Sequence, residues 1–183
     1  MKPIFFSFFL FFLVAISGKA QNYLTRNGNV AFHSHTPLED VDAENNEVVS
    51  VLNTATGQFD FRIAVKSFHF KKTAMEEHFN DADYMDAAKY PKAGFTGKIT
   101  NLSAVDFTKD GVYKITVQGN LTIRDVTKVV TADGTITIKS GIVTAQSSFT
   151  IKRKEYHVIG EAFVQQKIGE DVNIIVNCQY EKH

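Results

Sequence analysis

The chain has 183 residues, with 20 Lys and Arg against 20 Asp and Glu. A balanced charge without basic clusters argues against nucleic acid or an anionic membrane surface as partner. A single cysteine, Cys178, excludes a disulfide framework.

Residues 1–20 read as a cleavable secretory signal. Lys2 supplies the positive start, Ile4 to Ile16 an apolar run, and Gly18 and Ala20 the small residues before a cut ahead of Gln21. The run is too short for a membrane span, so no stable membrane insertion is expected after cleavage. The mature chain, Gln21 to His183, is expected to be periplasmic or secreted. It is one domain long, and at this size roughly 70% of the unfolded surface is buried without staples.

Period-two alternation then gives eight strands in chain order. The first is 30–36 and the second 47–53. "TATG" turns the chain into the third, 58–66, where Phe59, Phe61, Ile63 and Val65 share a face. The parity slips at Lys66–Ser67, which predicts a bulge. Thr73 to Tyr90 reads instead as a helical insert. Thr73 and Glu76 have capping-box spacing, Met75 and Phe79 lie one turn apart, Asp83 is placed to cap a second short turn, and Pro91 ends the segment. The remaining strands are 93–102, 112–124, 128–139, 142–153 and 171–180. Eight amphipathic strands with short turns fit an all-β, antiparallel up-and-down barrel, with a two-sheet sandwich as the competing architecture.

Parity places Phe59, Phe61, Ile63, Phe95, Tyr113, Ile115, Val117, Leu121, Phe149, Ile151, Ile174 and Val176 inside such a barrel. An eight-stranded interior is either filled by side chains or holds one small ligand. The bulky Phe residues favour filling; small inward residues, Gly119, Ala145 and Ser147, favour open space. His33 and His35 alternate, with Glu39 and Asp40 following, a spacing that could hold a metal. Two solvent-facing histidines are the simpler reading, because Val30, Phe32 and Ser34 take the other face, and no metal or other cofactor is expected. His69 and His78 have no obvious partners, and His78 is expected to pack beside the barrel rim. Cys178 is expected to pack, and Arg153 to pair with a carboxylate near the rim or meet a ligand head group. No nucleophile elbow, zinc-protease motif or phosphate loop is present, so the chain is not expected to be an enzyme.

The insert also resembles a known family. In "FKKTAMEEHFNDADYMDAAKYPKAGFTGKI", the residues His78, Phe79, Tyr84, Lys89, Tyr90, Pro91 and Phe95 match the central motif of the YceI-like family. "GQFDFRIAVKSFHF", "GNLTIRDVTKVV", "FTIKRKEYHV" and "KIGEDVNIIV" resemble other segments of that family, in the same order. Asp125 and His157 stand where many members have glycine, and "HSHTPLEDVDAENNE" is similar to one branch only. The resemblance implies a lipocalin-like barrel capped by a helix, exported, and holding a polyisoprenoid or fatty-acyl chain inside. A ligand-free barrel serving as a protein-interaction or stress-related module is the alternative. Either allows for a homodimer.

Overall fold

The computed structural model describes residues 21–35, 40–160 and 169–183. The segment read as a signal and Glu39 of the proposed metal set lie outside the described residues. Among the described residues nine strands run β1 (Asn22–Ser34), β2 (Val41–Asn53), β3 (Gln58–Ala64), β4 (His69–Phe70), β5 (Lys92–Ile99), β6 (Gly111–Ile123), β7 (Val126–Lys139), β8 (Ile142–Lys152) and β9 (Asp171–Lys182). The α-helix α1 (Thr73–Asn80) lies between β4 and β5.

The sheet order is β1-β9-β8-β7-β6-β5-β3-β2, with β4 added on β2, and β1 pairs β2 to close the ring. Every pairing is antiparallel, and the closing ladder runs from Asn22↔Asn53 to Ser34↔Val41. The result is a closed eight-stranded barrel and not a sandwich. β1 and β2 begin earlier than the alternation suggests: "NYLTRNG" lacks a clean apolar alternation yet pairs with the second half of β2, from Asn22↔Asn53 to Gly28↔Val48, and the start of β2 pairs with the end of β1, from Val30↔Asn45 to Ser34↔Val41. The parity slip after β3 is a three-residue 3₁₀ turn, Val65–Ser67, rather than a bulge. It lets the chain rejoin β2 through Ala43↔Phe70.

The turn chemistry is local. Ser140 and Gly141, at φ 51° and 82°, join β7 to β8. Positive φ at both central residues suits the twist of a two-residue hairpin. The expected capping box does not form at α1. Thr73 sits inside the helix, the residue before it is Lys72, and the Glu76 carboxylate accepts a bond from the Phe70 amide at 3.2 Å instead. The second short turn expected at Asp83 is present. Residues 82–85 and 87–89 form hydrogen-bonded turns, with Asp86 at φ 48°.

The barrel ends differ. At one end Leu52, Phe59, Ile99, Ile136, Val143, Cys178 and Tyr180 pack into a solid core. Tyr180 and Ser50 satisfy each other there at 2.7 Å, oxygen to oxygen. The other end carries α1 and an aromatic cluster.

Candidate functional site

Between the packed end and the helix lies a cavity of about 690 Å³. That is within the range of small-molecule sites, roughly 300–1,000 Å³. Its walls include Phe59, Phe61, Ile63, Phe95, Ile115, Val117, Leu121, Phe149, Ile151, Ile174 and Val176, all inward by alternation along their strands. Tyr113 is not part of the lining. It lies toward the packed end of β6, where its hydroxyl donates to the Lys109 carbonyl at 3.0 Å. Val130, Ala132 and Val172 also line the wall. They share parity with Ile136 and Ile174, so the alternation already contained them.

Filling and emptiness are decided residue by residue. Gly119 does not open space. A Cβ there would lie 2.7 Å from Phe95 Cζ and 2.4 Å from the Cα of Gly97 across the ladder. The two glycines instead leave room for the Phe95 ring on the wall. Ala145 lies where cavity meets packed core, and Ser147 faces the cavity while its hydroxyl donates to the Asp133 carbonyl at 2.7 Å.

The cap supplies a lining that strand periodicity could not reveal. Met75, His78 and Phe79 of α1 and Tyr84 and Met85 of the following turns face the cavity. Phe79 meets Phe32, Phe68 and Phe70 at ring-centroid distances of 5.5, 5.5 and 5.1 Å. Phe32 also contacts Phe68 and Phe70 at 5.4 and 5.8 Å. These rings come from β1, β4, α1 and the residue before β4, so only the fold unites them. His78, besides lining the cavity, has Nδ1 3.6 Å from an Asp81 oxygen. His69 lies 3.6 Å from Glu76, so both histidines have acidic neighbours that the sequence did not suggest.

Side chains pin the cap to the barrel. Arg124 donates to the carbonyls of Tyr84 and His157, the latter at 2.8 Å, and lies over the Tyr90 ring at 5.5 Å. Arg153 is buried, and its guanidinium donates to the carbonyls of Gly169, Val158 and Ile159 at 2.9, 2.8 and 2.5 Å. Burial lowers its pKa from the ordinary arginine value. Asp125 and His157, the two residues found where the family often has glycine, pair with each other at 3.1 Å. A main-chain hydrogen bond and this His157 contact hold the Asp125 carboxyl below the usual range. One departure thus accompanies the other.

His33 of β1 and His35, just past its end, lie outside the barrel. His33 Nδ1 meets Asp42 at 2.5 Å and His35 Nδ1 meets Asp40 at 2.5 Å. The hydrogen bond to the Asp42 carboxylate raises the His33 pKa. Donor atoms of His33, His35 and Asp40 come within 4.8 Å of one another, so the convergence required of a metal site is met by these three. Each imidazole, however, already has a carboxylate partner, and the group is far more exposed than the cavity. Cys178 lies in the packed core, where burial pushes its thiol up to about 12, so it is inert at neutral pH.

Three comparisons bear on this arrangement. Residues 23–180 match the family model of a YceI-like domain. No curated protein matches the chain by sequence. A polyisoprenoid-binding domain from Saccharophagus degradans, implicated in plant cell wall breakdown, superposes with a TM-score of 0.77 at 15% identity, covering 90% of this chain and 100% of that one. BcnA of Burkholderia cenocepacia gives 0.69 at 21% identity over 84% and 96% of the two chains. The Campylobacter jejuni YceI protein gives 0.62 at 21% identity over 81% and 90%. At such identities these likenesses speak for the fold.

Proposed function

Because the chain belongs to the YceI-like domain family, we propose that it is an exported binding protein holding one apolar chain, of polyisoprenoid or fatty-acyl type, inside its barrel. The observation that carries this reading is the apolar cavity between a packed barrel floor and an aromatic cap. Each methylene placed there is worth about 0.8 kcal/mol, so about ten would bind usefully before ordering costs. Binding by burial needs no catalytic group, and we assign none. The similar domain from Saccharophagus degradans, described as polyisoprenoid-binding, supports the choice of ligand class. The lining residues named above, from Phe59 to Val176, are the proposed contacts, with the cap residues Met75 and Phe79 added.

Export rests on the sequence of residues 1–20. Among the described residues no helix is long and apolar enough to cross a membrane. N-terminal sequencing of the protein recovered from its own cells should begin at Gln21.

Native mass spectrometry of that protein, with organic extraction of what it holds, tests the ligand. A stoichiometric lipid mass is expected. A clean ligand-free mass, with no uptake of offered polyprenols or fatty acids, would sink the reading in favour of an interaction module.

A further inference from the structure

The barrel wall is not equally closed along its length. β7 pairs with β6 over thirteen positions, from Gly111↔Ile138 to Ile123↔Val126. β8 pairs with β9 from Val143↔Tyr180 to Lys152↔Asp171. Between β7 and β8, however, the ladder runs only from Lys139↔Ile142 to Gly134↔Ser147. Residues 126–133 of β7 and 148–152 of β8 have no pairing with each other, although the hairpin would bring them opposite. This stretch lies in the cavity half: Val130 and Ala132 on one lip, and Phe149 and Ile151 on the other, all line the cavity.

The gap is bounded at both ends. At its base, Gly134 sits so close to β8 that a Cβ would fall 2.5 Å from the Gln146 carbonyl oxygen. At its top, side chains replace the missing ladder. Lys128 of β7 pairs with Glu155 beyond β8 at 2.8 Å. Asp125 pairs with His157, and Arg124 donates to the His157 carbonyl. The packed core lies at one end of the cavity, and the ring cluster and pinned cap line it at the other.

We propose that this parted seam between β7 and β8 is a lateral window through which an apolar chain reaches the cavity, with the Lys128–Glu155 pair as its clasp. The proposal rests on the reading of the cavity as a lipid site. Widening the window breaks no main-chain hydrogen bond between its two lips and disturbs an exposed ion pair of small worth. Lifting α1 would instead separate Phe79 from three rings. An apolar chain would slide between the apolar lips, leaving its polar end outside near the exposed Val129 and Lys128.

The test is a pair of crosslinks in the full mature chain. Thr131 and Thr150 are exposed and would face each other if the ladder continued from Gly134↔Ser147. Thr131→Cys with Thr150→Cys, joined by a short reducible bis-thiol reagent, bars the window. His69→Cys with Glu76→Cys pins α1 to β4. Stopped-flow uptake of the fluorescent C18 acid cis-parinaric acid is then followed. The window predicts uptake slowed at least tenfold by the first crosslink and restored on reduction, with the second crosslink without effect. The restored rate also shows that the double variant is folded. Lys128→Ala should quicken uptake by up to about fivefold, the range of an exposed pair, with little change in Kd. An unchanged rate in the barred protein, or slowing by the helix crosslink alone, overturns the window and leaves the lipid reading standing. No uptake by the wild type overturns both.

Discussion

The division of the barrel into a packed end and an empty middle makes the same kind of substitution act oppositely at two sites. Ala132 faces the cavity, whereas Cys178 is fully enclosed in the packed core. Ala132→Leu adds three carbons to empty space, worth about 0.8 kcal/mol each. Ordering the longer side chain costs about 0.5–1 kcal/mol. Net stabilisation of about 1–2 kcal/mol is expected, a rise in Tm of roughly 2–8 °C for a chain of this size. The same carbons exclude about three methylenes of any ligand, so affinity for cis-parinaric acid should fall roughly 50-fold. Cys178→Leu meets a filled site and should cost about 1–3 kcal/mol. Urea unfolding at unchanged m-value, paired with fluorescence titration, measures both. If Ala132→Leu destabilises by more than about 1 kcal/mol and leaves probe affinity intact, the space is neither empty nor the binding site.

Other outcomes follow from the same geometry. Ser50 and Tyr180 are 1% and 0% exposed and bond only at 2.7 Å to each other among the bonds described, so Ser50→Ala or Tyr180→Phe should each cost about 1–3 kcal/mol, and the double variant less than their sum in a double-mutant cycle. Cys178 should stay unreactive to a thiol reagent at pH 8 in the native protein and react fully in denaturant; a fast native reaction would contradict its thiol at about 12. The Asp106 carboxyl is held at about 2, first by the Thr108 hydroxyl and amide and then by Lys109. A folded value below the unfolded one gives stability present above the ordinary carboxylate range and lost as pH falls toward 2, and Thr108→Ala should raise the NMR titration midpoint. Gly119→Ala should destabilise by about 1–3 kcal/mol, seen in thermal melts, because its methyl would strike the Gly97 main chain at 2.4 Å.

Much of the molecule was legible before any coordinates. Alternation placed β5 through β9 within a few residues of their observed bounds and put Phe59, Ile115, Leu121 and Val176 inside, because a strand's two-residue period ties parity to a face. The order of motifs from "GQFDFRIAVKSFHF" onward gave the family. The first half of β1 stayed hidden, since Asn22 to Asn29 carry no clean alternation and are fixed by the partners β2 and β9.

Parity also could not say how far along the barrel an inward residue lies. Tyr113 and Leu121 share a face, yet one belongs to the packed end and the other to the cavity wall. Nor could it say whether Gly119 was a hole or a seat for Phe95. The cap's contacts, the pairing of Asp125 with His157 and the parted β7–β8 seam all join residues distant in sequence. Sequence determined which side of the wall each strand residue faces, because that depends on local backbone geometry. Only the tertiary structure decided what stands opposite it, and so where the barrel is solid, where it is empty and where its wall is unpaired.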